Sequence, residues 1–321
     1  MQPHDSLALL LLLLASPRTP SATVLTMAVP TDSSSCAVAM QTAGCAKPPT
    51  QCDACAAENQ HALRVAGCTS DEIRQWCAAG RIVYDDFTTY NSSVWSYDDG
   101  SMGTTDKCKV WYLKNHSRVG ADLSLGEGKG LMMLMSSTPC KQDPKYCHGA
   151  KMAADHVSSI ANHLYGDYEL RMRAPYAVNS TGGTCDKGIY AYFTAGYVNK
   201  AGKWNEMNFG FHPDRDNHGT EVSCEHHDDS GGYHETSVKL GFNYRESFNT
   251  YVIRLRKDSL TWLVGHGKQP HIQLKTVHHA TAKLTEPMGT RLILRTNFRD
   301  GDPGYMPATA WEISHFKFTP A

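Results

Sequence analysis

No excess of either charge marks this sequence: 31 Lys and Arg face 32 Asp and Glu, a formal net charge of −1 over 321 residues. The missing basic excess argues against a nucleic-acid partner, and the missing acidic excess argues against a disordered acidic chain. Long apolar runs are lacking too. Only Leu7–Ala15 is continuously apolar, and it is too short to span a bilayer. No later stretch is apolar enough to cross a membrane, so no membrane partner is expected. No repeat of fixed period appears, which excludes solenoids and propellers. The lead-in Met1–Ser6 lacks Lys and Arg, yet the run after it fits the centre of a secretory signal peptide. Small residues at Ser21 and Ala22 suit cleavage, giving a signal peptide over residues 1–22. The 16 histidines are scattered, and their number alone assigns no metal or pH role.

What is abundant is cysteine. All 11 lie beyond the apolar run, a density suited to an oxidising compartment. Sequons at Asn91, Asn115 and Asn179 agree with secretion. Residues 23–50, rich in Ser, Thr, Ala and Pro, read as a linker. A Cys-rich helical hairpin is expected over residues 51–80. Ala56–Val65 forms its first helix and Gly67 stops it. Thr69-Ser-Asp-Glu72 then opens a second helix with a capping box. Cys55 and Cys68 flank the first helix, about 20 Å apart at 1.5 Å per residue, so they cannot bridge. Cys77 therefore pairs with Cys52 or Cys55, and the remaining two are left for Cys36 and Cys45. The Cys-x-x-Cys spacing of Cys52 and Cys55 also suits redox or zinc chemistry, but a secreted hairpin favours structural disulfides.

From residue 81 to 321 the period changes. Short alternating runs are broken by Gly, Asn, Asp and Pro: Tyr168–Arg173, Tyr190–Thr194, Tyr251–Arg256, Thr261–Val264, Arg291–Arg295 and Trp311–Phe318. Many short strands at this spacing predict an all-β fold, a two-sheet sandwich. Within it, Trp204-Asn-Glu-Met-Asn-Phe-Gly-Phe-His212 alternates strictly. Met207, Phe209 and Phe211 should enter the core, leaving Glu206, Asn208 and Gly210 on the other face.

The order of these segments resembles glycoside hydrolase family 16, in particular its lichenase-type β-1,3-1,4-glucanases, over about residues 82–319. The blocks that carry it run from Asp85–Trp95 through Tyr165–Pro175, Gly188–Thr194, Trp204–Phe211, Lys239–Asn243, Phe248–Ile253 and Thr261–Gly267. The resemblance implies a concanavalin-like jelly roll and a retaining β-glycosidase acting on β-linked polysaccharide. It implies a disulfide between Cys108 and Cys147. Cys140 and Cys185 could form a further pair, and Cys224 remains as a buried free thiol.

The family's cleft strand is similar to Glu-x-Asp-x-Glu: nucleophile, assisting Asp, and general acid/base. Here Glu206 keeps the nucleophile position, Asn208 replaces the Asp, and Gly210 stands at the acid/base position. A positioned acid is worth ~10²–10⁴-fold in rate, so hydrolysis should be impaired. Ser223, Glu225 and His227 share the face that lines the family's cleft. Glu225 or His227 is a candidate substitute acid; the plainer role is to bind sugar hydroxyls or to face solvent. Trp204, Tyr190 and Tyr192 are candidate sugar platforms, although the two tyrosines could instead pack between the sheets. Asn297 and Arg299 fall on the late cleft strand, where Arg299 replaces a family tryptophan. The family's calcium carboxylate falls at Ser314, so no metal is expected, and no cofactor either. Three functions remain open: a secreted or cell-wall β-glucan hydrolase or transglycosylase, a silent β-glucan binder using the same cleft, or a scaffold for the cysteine hairpin. Oligomeric state is not legible.

Overall fold

The structure is a computed structural model. It describes residues 35–45, 49–79, 82–97, 101–103, 110–136, 152–163, 165–176, 189–200, 203–212, 219–227, 232–278, 288–296 and 309–321. The expected signal peptide, Cys108, Cys140, Cys147, Cys185, Asn297 and Arg299 lie outside these residues.

Four helices lead: α1 (Ser35–Thr42), α2 (Pro49–Glu58), α3 (Gln60–Val65) and α4 (Ser70–Ala79). Part of the stretch expected as linker, Ser35–Thr42 and the start of α2 at Pro49, is therefore helical. Two of its cysteines explain why: Cys36 bonds Cys68, and Cys45 bonds Cys55. The third bond joins Cys52 to Cys77. The expected first helix is also broken. Asn59 departs from helical geometry between α2 and α3, and its side-chain amide donates to the Cys55 carbonyl. The terminators behave as read. Gly67 takes a φ of 86°, open to glycine without strain. The Thr69 backbone N–H donates to Glu72, and the Glu72 N–H donates back to Thr69 Oγ1. Those carboxylate hydrogen bonds hold the Glu72 pKa below its usual value.

The rest is strand: β1 (Val83–Asp85), β2 (Trp95–Tyr97), β3 (Ser101–Gly103), β4 (Val110–Tyr112), β5 (Ser117–Leu123), β6 (Gly128–Met135), β7 (Met152–His163), β8 (Gly166–Tyr176), β9 (Ile189–Lys200), β10 (Lys203–Phe211), β11 (Glu221–His227), β12 (Tyr233–Lys239), β13 (Asn249–Leu255), β14 (Ser259–Gly265), β15 (Ile272–His278), β16 (Met288–Thr296) and β17 (Thr309–Pro320). One sheet runs β15-β14-β13-β8-β17-β6-β5, with β1 added on β17. The other runs β12-β11-β10-β9-β16-β7-β4-β3, with β2 added on β7. Among the described strands every pairing is antiparallel except β4 with β7.

The sheets close over an aromatic core. Phe209 and Phe211 of β10 meet Tyr251 of β13 edge-to-face, with ring centroids 5.3 and 5.0 Å apart. Such pairs add to the burial itself. Trp262 of β14 reaches across and donates from Nε1 to the Asn208 carbonyl at 2.8 Å. That bond ties the backbone of β10 to the opposite sheet at the strand's middle. Met207, Phe209 and Phe211 are fully buried, as the alternation requires. Cys224 also faces this core. It is not disulfide-bonded, and burial pushes its thiol up to about 12.

Candidate active site

The face of β10 away from the core is built by register. Asn208 lies opposite Glu225 of β11 on one side and Thr194 of β9 on the other. Glu206 lies opposite His227, and Gly210 opposite Ser223. Opposed residues in an antiparallel pair share a face, so Glu206, Asn208, Gly210, Ser223, Glu225 and His227 come together as expected. The β9 pairing skips Ala195 between Met207 and Asn208. This bulge falls between Glu206 and Asn208, where it re-aims side chains.

The face is recessed. Asn208, Ser223 and Glu225 are each 2% exposed although they point away from the interior core. The Asn208 amide donates to Glu206 Oε1 at 3.0 Å. An ionised Asp at this position could not donate that bond, whereas the Asn208 amide can. Arg295 of β16 comes close enough to act on Glu206 electrostatically. Burial works against its charge, but the Tyr192 and Tyr112 hydroxyls and the Glu206 carboxylate more than offset this and raise its pKa.

Gly210 has a reason that the bare motif conceals. A Cβ there would lie 2.2 Å from Glu225 Oε1 and 2.6 Å from His212 Nε2. The Glu225 carboxyl thus occupies the space directly over residue 210. His212, 5% exposed, holds it with Nε2 at 2.9 Å from Oε1. Beyond Glu225 on β12 stands Glu235, which accepts from Ser223 Oγ at 2.8 Å and from Tyr233 OH at 3.0 Å.

Two of the candidate residues are covered. Tyr192 is on this face but only 6% exposed. Arg295 lies over its ring at 5.0 Å and His212 packs against it at 5.7 Å, so it offers no open platform. Ser223 is likewise covered, its hydroxyl committed to Glu235. His227 stays half-buried, 4.9 Å from the ring of Tyr233. Tyr233, 50% exposed, presents an aromatic ring to solvent from this face. Burial, and then the Glu225 and Glu235 charges, raise its pKa. Trp204 and Tyr190 lie on β10 and β9 as expected, opposite Asn199 and Arg295. His212, Glu235, Tyr233 and Arg295 escaped the sequence reading. Strand alternation could have placed His212 beside Gly210, and the β11–β12 hairpin could have placed Glu235 beside Glu225.

Fold and strand order define the class as an antiparallel two-sheet jelly roll carrying a recessed polar face on one sheet. No protein-family model matches the chain. Beta-glucanase of Bacillus amyloliquefaciens is 26% identical over 223 residues, covering 69% of this chain and 80% of that protein. Beta-glucanase of Bacillus licheniformis is 28% identical over 211 residues, covering 65% and 72%. The solved structure of the Bacillus licheniformis enzyme superposes with a TM-score of 0.56 at 22% identity, covering 75% of this chain and 98% of that one. A family 16 endo-glucanase from Bacteroides ovatus gives 0.57 at 13% identity, covering 74% and 99%. These likenesses support a lichenase-type domain of glycoside hydrolase family 16.

Proposed function

We propose that this is a secreted retaining β-glucan hydrolase or transglycosylase in which Glu206 is the nucleophile and Glu225 supplies the acid/base from the neighbouring strand. The observation that carries the reading is the Glu225 carboxyl lying 2.2 Å from where a residue-210 Cβ would be. The acid moves one strand over, and glycine makes room for it. Glu206 and Glu225 are diagonal neighbours on adjacent strands. Such positions lie about 7–8 Å apart, from which two glutamates can bring their carboxyls to the about 5–5.5 Å of retaining enzymes.

In the first step a Glu206 oxygen attacks the anomeric carbon. The bond to the leaving sugar oxygen breaks, and Glu225 gives that oxygen its proton. In the second, the Glu225 carboxylate takes a proton from water or from a sugar hydroxyl, whose oxygen attacks the same carbon and releases Glu206. Asn208 orients Glu206 through the 3.0 Å bond, and the Arg295 guanidinium places positive charge near it. The relatives are named as beta-glucanases, which supports β-linked glucan as the substrate class. Three disulfides among the described cysteines support an oxidising compartment outside the cytosol.

The test is reducing-end release from lichenin and laminarin, compared with release of an aryl β-oligoglucoside whose leaving group needs no proton. Glu206→Gln should abolish both. Glu225→Gln should cost ~10²–10⁴-fold on the polymers and far less on the aryl substrate. Equal losses on both would remove Glu225 from the acid role. Retention of the polymers on an affinity gel with no cleavage by the native chain would leave a binder instead.

A further inference from the structure

Three ligand-type atoms converge at the Glu225 end of the site. His212 Nε2 and one carboxylate oxygen each from Glu225 and Glu235 all lie within 4.8 Å of one another. They come from three neighbouring segments: the residue after β10, the middle of β11 and β12. Glu225 and Glu235 stand directly opposite across β11 and β12. Like charges so placed repel unless positive charge lies between them. Water cannot relieve this on the Glu225 side, which is 2% exposed. One Glu225 oxygen is engaged by His212. Glu235 is held in place by Ser223 and Tyr233, the kind of outer support that orients metal-binding carboxylates. Gly210 keeps the first two atoms together, because any side chain there would part them.

We infer that His212, Glu225 and Glu235 bind a divalent transition-metal ion of the zinc class, and that its occupancy withholds Glu225 from proton transfer. One imidazole nitrogen and two carboxylate oxygens with a fourth position open is a zinc donor set. The imidazole disfavours calcium and magnesium, which take oxygen ligands. With bonds of about 2.0–2.2 Å, the ligand atoms around a tetrahedral zinc stand roughly 3.3–3.6 Å apart, a modest adjustment within the 4.8 Å span. A metal-bound carboxylate is deprotonated and has no proton for a leaving oxygen. The inhibitory half rests on Glu225 being the acid; the binding half does not.

The experiment is calorimetric titration of zinc into chelator-treated protein, with folding checked by circular dichroism. The four samples are the native chain, His212→Ala, Glu235→Gln, and His271→Ala as an exposed histidine elsewhere. The expected result is one zinc per chain, weakened at least tenfold by His212→Ala and by Glu235→Gln and unaltered by His271→Ala. Glu235 is exposed on β12, so its variant should fold even where His212→Ala does not. Each variant's ratio of lichenin cleavage with and without zinc is then read: the native ratio should fall with the binding curve, and the Glu235→Gln ratio should stay near one. No zinc uptake, or equal uptake in all four proteins, overturns the site. Site-specific uptake with a zinc-insensitive rate overturns the inhibition and leaves the site. A chain that cleaves nothing refutes the hydrolase reading while the calorimetry still decides the site.

Discussion

At residue 210 a missing side chain carries the most information. Gly210→Ala would drive a methyl into Glu225 Oε1 and His212 Nε2, both on buried side chains. The expected outcome is at least a tenfold loss of glucan cleavage with about 1–3 kcal/mol of destabilisation, read from rates and denaturant midpoints. An alanine variant as active as the native chain would show that Glu225 has no need of that space. A second residue sets a pH limit. His163 is buried in a stack on Phe318, centroids 4.1 Å apart, and burial lowers its pKa from 6.5 to about 4. The folded state keeps it neutral where the unfolded chain is protonated. Its contribution is therefore fully present above pH 6.5 and is lost as pH falls toward 4. The loss amounts to roughly 3 kcal/mol. His163→Phe should flatten the fall in unfolding midpoint across that window, and an unchanged slope would assign the acid sensitivity elsewhere.

Among the elements, the helices and strands are stabilised by different means. The α1–α4 unit has few apolar residues to bury: among its described residues, beyond five buried cysteines its core holds Met40, Ala56 and Leu63, with Ile73 and Trp76 partly buried against them. Its disulfides should each contribute about 2–5 kcal/mol. Replacing Cys52 and Cys77 by Ser should abolish helical ellipticity while the near-ultraviolet signal of buried Trp95, Trp262 and Trp311 persists; helicity retained in full would contradict this. The pairing was legible in part: helix length barred a Cys55–Cys68 bond and left Cys77 to Cys52 or Cys55, without choosing between them or assigning Cys36 and Cys45. The extent of the unit was not. A Ser- and Ala-rich segment reads as linker until Cys36 and Cys45 are seen to anchor it. The strands were more legible, because short apolar-polar runs mark them: Tyr168–Arg173 lies inside β8, where burial alternates, and Trp311–Phe318 inside β17.

On the scale of the whole molecule, the candidate site was half legible. Alternation along β10 gave the face of Glu206, Asn208 and Gly210, and the same rule gave that of Ser223, Glu225 and His227. Register supplied the rest. That Glu225 reaches over Gly210, that Arg295 covers Tyr192, and that Glu235 opposes Glu225 all depend on how β9, β11, β12 and β16 line up. A linear pattern does not encode that alignment. Seen as one sheet, the departure from Glu-x-Asp-x-Glu becomes, on the proposed function, an acid relocated across a strand boundary. The most direct check is covalent trapping with a 2-deoxy-2-fluoro aryl β-oligoglucoside, followed by peptide mass mapping. The account predicts one glycosyl unit per chain on Glu206, and none in Glu206→Gln. A label on another residue, or no label from a substrate whose leaving group needs no acid, would contradict it.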